Sequence, residues 1–383
     1  MTYKITMTIL STVLLTLFHV STVILHPSRP TLPLCSEEKG KGREIQLHCI
    51  VFAGQYLDFD EIRAFTSSRL DSEKFNVSIN CFNGGKIRLP WPFFANNVVT
   101  LHVTDCINEG FLSERSYPQI HPNELQQVVV SNVKNKIEIR DLVETVRHLN
   151  NISSHFDCGQ TNASVLILRN MEYIFPPLKG TMDELLVLEE LMSSVAIKHL
   201  LSHNSFCRYN KLRYLEESGS RSFSAFHMKL METSQYPRLG VYSLRNNSLT
   251  SVPVELENMR SSFLPKLSIL DLADNEITVT NFMFSGQNKN NLLINLKRNQ
   301  IKTISKNQLT EILKSKGVIF DIRDNPLLCS CELFKYGDYL SSMAGVKIAR
   351  NIYQETKCQY ELNGKLQQYL LSAGNIRDIV CTI

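Results

Sequence analysis

Between Leu239 and Leu327 one arrangement of apolar residues closed by an asparagine comes round four times, and an array of this kind leaves a chain few folds to choose from. Written L-x-x-L-x-L-x-x-N-x-L, it fits Leu239, Tyr242, Leu244, Asn247 and Leu249, then Leu267, Leu270, Leu272, Asn275 and Ile277. It continues through Ile294, Leu296, Asn299 and Ile301, and through Phe320, Ile322, Asn325 and Leu327, with Asn291 and Gly317 at the first position. The asparagines stand 28 (247 to 275), 24 (275 to 299) and 26 (299 to 325) residues apart. A period of roughly 20–29 residues with this pattern belongs to solenoids of stacked coils.

One coil cannot bury its apolar edge alone, so neighbouring coils must stack into a parallel sheet over a continuous core. Alternation predicts a short strand in each coil, with Leu270 and Leu272 inward and Ile269, Asp271 and Ala273 outward. Where the chain leaves the strand its peptide groups lose their ladder partners, and an inward amide supplies both a donor and an acceptor. Asn247, Asn275, Asn299 and Asn325 are therefore expected to form a buried structural ladder.

The chain opens with Lys4 and an apolar run from Ile5 to Leu25, which reads as a secretory signal ending near residue 26, with an uncleaved signal anchor as the alternative. No later stretch resembles a membrane span, so no span is expected once the signal is cleaved. Ten cysteines behind a signal imply an oxidising compartment and disulfides. Asn76, Asn151, Asn162 and Asn246 each begin a sequon for N-glycosylation. A net charge of +4 over 383 residues is too small and too scattered to argue for nucleic acid or an acidic membrane as the main partner.

Cys35 and Cys49 lie in a polar segment suited to a disulfide-braced cap over the open end of the core. From Phe75 the sequence Phe-Asn-Val-Ser-Ile-Asn-Cys alternates as a strand with Phe75, Val77 and Ile79 inward, leaving Asn76 to solvent. Val98, Leu101, Val103 and Cys106 make the next coil, with cysteine at the asparagine position, and Leu125, Val128, Val130 and Val133 another, whose valine cannot replace the amide. Cys81 and Cys106 are placed to bridge neighbouring coils, although fifteen pairings of the six cysteines Cys35, Cys49, Cys81, Cys106, Cys158 and Cys207 remain open. From Asn135 to Pro237 the pattern breaks. Val165, Ile167 and Asn170 suggest one coil, and Leu201, Asn204 and Phe206 another. Thr181 to Glu184 has capping-box spacing before a helical apolar face that includes Leu185, Leu188, Met192 and Val195. His199 and His203, with Cys207 beyond, have a spacing that zinc could use, but no glutamate completes H-E-x-x-H and no further ligand is marked. No nucleophile elbow or phosphate loop occurs, so neither enzymatic chemistry nor a cofactor or metal is assigned.

The last repeat runs directly into Asn325-Pro-Leu-Leu-Cys329-Ser-Cys331-Glu-Leu-Phe, followed by Cys358 and Cys381. Zinc is one use of such a Cys-x-Cys pair, but a secreted chain favours oxidation. With the four repeats before it, this motif resembles the cysteine-flanked extracellular leucine-rich-repeat family, which includes Toll-type receptor ectodomains and Slit-like matrix and guidance proteins. The resemblance covers 239–383 well and 35–106 more loosely. It implies an α/β leucine-rich-repeat solenoid, curved, with a parallel β-sheet on the concave face, an irregular convex side and disulfide-braced caps. It also implies that Cys329 pairs with Cys358 and Cys331 with Cys381. The expected layout is a signal over 1–26, a cap and first coil over 27–97, irregular repeats with insertions over 98–237, regular repeats over 238–324 and a cysteine-rich cap over 325–383.

Three columns of such coils face the concave side: Val241, Ile269, Leu293 and Ile319; Ser243, Asp271, Asn295 and Asp321; and Arg245, Ala273, Lys297 and Arg323. The first suits strand filling, whereas the other two offer short polar groups and a mostly cationic row. Arg245, Asp271, Asn295, Lys297, Asp321 and Arg323 are the candidate ligand face. The expected function is that of a secreted, non-enzymatic module binding an extracellular protein ligand or receptor. The alternative is a matrix or adhesion protein that self-associates, for which a homodimer is the simplest form.

Overall fold

The computed structural model describes residues 32–40, 42–90, 93, 95–110, 124–136, 162–174, 207–220, 234–253, 256, 264–279, 282, 292–315, 317–343 and 345–382. The signal segment, Asn151, the helix expected after Thr181, and His199 and His203 lie outside these residues. A sheet of eleven strands runs the length of the described chain. It begins with an antiparallel hairpin, β1 (Cys35–Lys39) and β2 (Glu44–Val51), and from β2 onward its pairings are parallel. Next to β2 stand β4 (Lys74–Cys81), β6 (Val98–Thr104), β8 (Gln127–Ser131) and β10 (Val165–Arg169). They are followed by β13 (Tyr214–Ser218), β15 (Val241–Ser243), β16 (Ile269–Asp271), β17 (Leu292–Asn295) and β18 (Val318–Asp321), while β12 (Cys207–Arg208) and β14 (Ser234–Gln235) pair in a separate two-stranded sheet. Every parallel pair joins consecutive coils, which makes the architecture a leucine-rich-repeat-like stack in which each coil is stabilised by its neighbours.

The asparagine ladder follows from what the strand ends leave unpaired. Asn275 Nδ2 donates to the carbonyls of Leu272 (2.9 Å), Leu244 (3.0 Å) and Ala273 (3.2 Å), while its Oδ1 accepts from the amides of Asn247 (2.8 Å) and Leu249 (3.1 Å). Asn299 and Asn325 repeat the pattern one coil on, each donating back to the coil before and accepting from Ile277 and Ile301 respectively. Asn247 accepts from the Ser220 amide and donates to the Glu217 carbonyl.

The earlier coils solve the same problem differently. A second parallel sheet is built from the segments following the first five long strands: β3 (Tyr56–Asp58), β5 (Lys86–Arg88), β7 (Ile107–Glu109), β9 (Lys134–Lys136) and β11 (Glu172–Ile174). Within it Asn108 is buried. Its amide bonds both backbone groups of Leu89 (2.8 and 2.9 Å) and donates to Asn135 Oδ1 (2.9 Å). So Cys106 and Val133 fill the asparagine position with apolar bulk, and asparagines two residues later supply the polar groups. The chain between β3 and β4 carries α1 (Phe59–Ser67), capped by Asp58, whose Phe59, Ile62 and Phe65 enter the core. The span 27–97 thus holds the hairpin and two coils, β2 and β4.

Three readings of the sequence change. In β10 the inward residues are Leu166 and Leu168, aligned with Val128 and Val130, so the register is one residue off the expected Val165 and Ile167. A run of four aliphatic residues, Val165 to Leu168, carries no alternation to fix the register, and a one-residue slip turns every side chain over. Between β10 and β15 the coil is β13, with Leu212 and Leu215 buried and Ser220 at the asparagine position; the expected Leu201, Asn204 and Phe206 lie outside the described residues. Ala273, in the outward column, is not open to solvent: it lies past the end of β16 and is buried.

At the far end, α2 (Lys306–Lys314) precedes β18 and α3 (Cys331–Ser342) closes it. Tyr336 donates to the Phe320 carbonyl (2.7 Å) and accepts from its amide (2.8 Å), while Tyr339 donates to the Val318 carbonyl (3.1 Å) and accepts from Gly317 (3.3 Å). An exposed strand edge is a template for unwanted pairing, and here hydroxyls occupy it. α4 (Lys347–Glu355), the hairpin β19 (Lys357–Leu362) and β20 (Lys365–Leu370), and α5 (Gly374–Cys381) complete the cap. Disulfides join Cys329 to Cys358 and Cys331 to Cys381 in the cap, and Cys35 to Cys49 and Cys81 to Cys106 at the other end.

Candidate binding face

The outward side of the long sheet presents three rows that follow from its register. The middle row reads His48, Ser78, His102, Val129, Ile167, Glu216, Ser243, Asp271, Asn295 and Asp321. Toward the first coils this face is polar and self-bonded: Thr100 Oγ1 donates to Asn76 Oδ1 (2.8 Å), and His48 Nδ1 lies 2.7 Å from Ser78 Oγ. Asn76 is therefore part of the face itself. Asn246 is exposed at its margin, and Asn162 Oδ1 accepts from Lys211 (2.9 Å).

At its centre, β13 contributes a cluster that the sequence did not announce. Arg169 forms a two-pronged pair with Glu216 (2.6 and 2.9 Å), and Tyr214 (2.8 Å) and Ser218 (2.7 Å) donate to the same carboxylate. Glu216 is 7% exposed. Burial alone would push its pKa up, but the bonds from Arg169, Ser218 and Tyr214 outweigh it and hold the group at about 2.

The six expected ligand-face residues differ in availability. Asp321 is 3% exposed and is held by Arg323 Nε (2.8 Å) and Nη2 (2.6 Å). Arg323 also pairs with Glu355, and its side chain is only 13% exposed. Arg245 pairs with Asp274, which also holds Arg298, and Lys297 lies 3.5 Å from Asp324. The cationic row is thus neutralised by its own neighbours. Asp271 differs. Its Oδ1 accepts from the Ala273 amide (3.1 Å) and Asn295 Nδ2 (2.8 Å), and among the described residues it forms no ion pair. Burial raises its pKa against the opposing pull of the Ala273 amide and Arg245. Beside it in the next row stand the half-buried Val241, Ile269 and Leu293.

Below the face, the coils from β6 onward turn through a residue with positive φ: Asp105, Asn132, Asn170, Asn246, Asp274, Arg298 and Asp324, with φ from 50° to 60°. Six of the seven are Asn or Asp, the residues that tolerate this conformation, so the position preceding the asparagine slot was a readable signal. Asn132 Nδ2 donates to Asp105 Oδ1 (2.9 Å) and Asn170 Nδ2 to Asn132 Oδ1 (2.7 Å). In the next coil Gly219 takes this place at φ +70, where a Cβ would stand 1.8 Å from Asn170 Oδ1.

Among the described residues no group of His, Cys, Asp and Glu is arranged to hold a metal ion, and no helix is long and apolar enough to cross a membrane. No protein-family model matches the chain, and no curated protein sequence does. Among solved structures, the chain is similar to the crystal structure of human 5T4 (Wnt-activated inhibitory factor 1, trophoblast glycoprotein), at 15% identity and a TM-score of 0.42. That match covers 90% of this chain and 98% of the other. The reading of the fold rests on the strand order and the asparagine ladder, not on this likeness.

Proposed function

We propose that the chain is a secreted, non-enzymatic recognition protein, a soluble receptor, decoy or guidance factor, that binds an extracellular protein ligand on the concave face of a curved solenoid. The supporting observation is Asp271, a half-buried carboxylate without an ion pair among the described residues, beside the aliphatic Val241, Ile269 and Leu293. Glu216 and Asp321 to either side are already neutralised by arginines. Such a site fits a lysine or arginine of the ligand, whose methylene stem covers the aliphatic row while its charge meets the carboxylate. A glycan on Asn76 would cover the first coils and leave the face around Asp271 open.

The experiment is affinity capture from the native extracellular fluid with wild type, Asp271→Asn and Arg245→Glu, followed by affinity measurement on the recovered ligand. Asp271→Asn is expected to weaken that ligand by ~30-fold or more, the scale of losing one partner of a desolvated charge pair. Arg245→Glu, at the exposed rim, is expected to change affinity only a few-fold. Equal binding by wild type and Asp271→Asn would remove this face from recognition. A self-associating matrix or adhesion protein is the second reading, and the open edge of β20 favours it.

A further inference from the structure

The two free edges of the C-terminal region are treated differently. The β18 edge is occupied by tyrosine hydroxyls, whereas β20 ends the hairpin sheet with nothing paired to its far side among the described residues. Asn363 (φ 52) and Gly364 (φ 74) form a two-residue turn, so Leu362 and Lys365, Tyr360 and Gln367, and Cys358 and Tyr369 exchange hydrogen bonds within the hairpin. Gln359 fixes the same alternation from the other side, because it spends its own amide and carbonyl on Leu327 and Cys329. The backbone groups of Leu366, Gln368 and Leu370 therefore point away from β19; of these, the Leu370 carbonyl accepts from Ala373, a bond that leaves its second lone pair available.

From 366 to 370 this edge carries no charge and no proline, and its pairing with β19 is regular, so within this stretch neither charge, proline nor bulge protects the edge. The side chains alternate so that Leu366 (61% exposed), Gln368 and Leu370 (41% exposed) share one face. Leu328 (42% exposed) joins that face through its bridge to Gln359. Read along the edge, Leu-x-Gln-x-Leu is the same in both directions.

We infer that β20 is a self-pairing edge through which two copies of this chain join by antiparallel strand addition, with the two-fold axis at Gln368. In this register Gln368 faces its own copy and Leu366 faces the second copy's Leu370. The outward amides and carbonyls of all three positions find partners, and the exposed leucines of both hairpins merge into one apolar strip across the join. The interface does not involve Asp271, so it stands or falls separately from ligand recognition.

The test is sedimentation equilibrium or light scattering on the secreted full chain, from about 1 to 100 μM. Three samples are compared: wild type, the exposed-site variants Gln368→Lys and Gln368→Glu, and an equal mixture of the two variants. Wild type is expected to reach twice the mass of one chain, each variant to stay at one chain because like charges meet on the axis, and the mixture to recover the doubled mass. The inference is overturned by a wild type that stays single, by a doubled mass that neither substitution alters, or by variants that remain single when mixed. Circular dichroism matching wild type shows that the variants are folded.

Discussion

At the residue scale, asparagine works in this chain as a peptide group that can be aimed. Asn275 closes bonds to Leu244, Leu272, Asn247 and Leu249 from one buried amide, so Asn275→Ala strands several backbone groups at once. The expected cost is roughly 3 kcal/mol or more, read as a lowered denaturant midpoint. Asn325 is only half-buried, so water replaces part of what is lost, and Asn325→Ala should cost clearly less in the same assay. Gly219 is held by conformation and by space, since φ +70 and the Asn170 amide both exclude a side chain. Gly219→Ala is expected to destabilise by ~1–3 kcal/mol, while Gly42→Ala, with equally positive φ but open surroundings, costs only its backbone strain. Glu216 ties stability to pH. Its pKa in the fold is about 2, below the ordinary carboxylate value, so its contribution is complete above the unfolded pKa and disappears as pH falls from about 5 toward 2. With Arg169 half exposed and screened, about 2–3 kcal/mol is at stake. The stability gap between wild type and Glu216→Gln should be wide at pH 6 and narrow steadily below pH 4; a gap independent of pH would mean that the Arg169 pair contributes little.

At the element scale the question is what each strand does with its edges. β18 presents Phe320 to Tyr336, and a single hydroxyl satisfies both backbone groups of a buried residue. Tyr336→Phe should therefore lower stability by ~1–3 kcal/mol and speed amide exchange at Phe320, whereas Tyr339→Phe, half-buried, should do so less. Which strands were legible follows from their alternation. β4 alternates strictly and its inward residues were readable; β10 is a run of Val, Ile and Leu whose register only its neighbours β8 and β13 could fix. β13 was hidden for a different reason. Glu217 and Ser220 stand where the pattern calls for leucine and asparagine, and the core tolerates them because Tyr242 donates to Glu217 (3.2 Å) and Ser220 bonds Asn247 and the Met171 carbonyl.

At the scale of the whole molecule, a stack that contacts only nearest neighbours depends on its ends. Cys329–Cys358 ties the start of the cap to β19, and replacing both cysteines with alanine should cost ~2–4 kcal/mol. The loss should appear first as amide exchange in α3 and β18 and leave β4 and β6 protected. The sequence alone carried the repeat, its period, the inward leucines from Leu239 onward and the asparagine ladder, because each is a local pattern repeated in register. It also marked Asp271 as outward. It could not show that Arg323, beside Asp321, is also taken up by Glu355, since Glu355 arrives from a helix more than thirty residues away. Nor could it show that Arg169 reaches Glu216 across two parallel strands whose registers are set by packing. Local alternation decides which way a side chain points; only the assembled stack decides which outward charges meet a partner, and therefore that Asp271, alone of the three described carboxylates in the middle row, has no ion pair among the described residues.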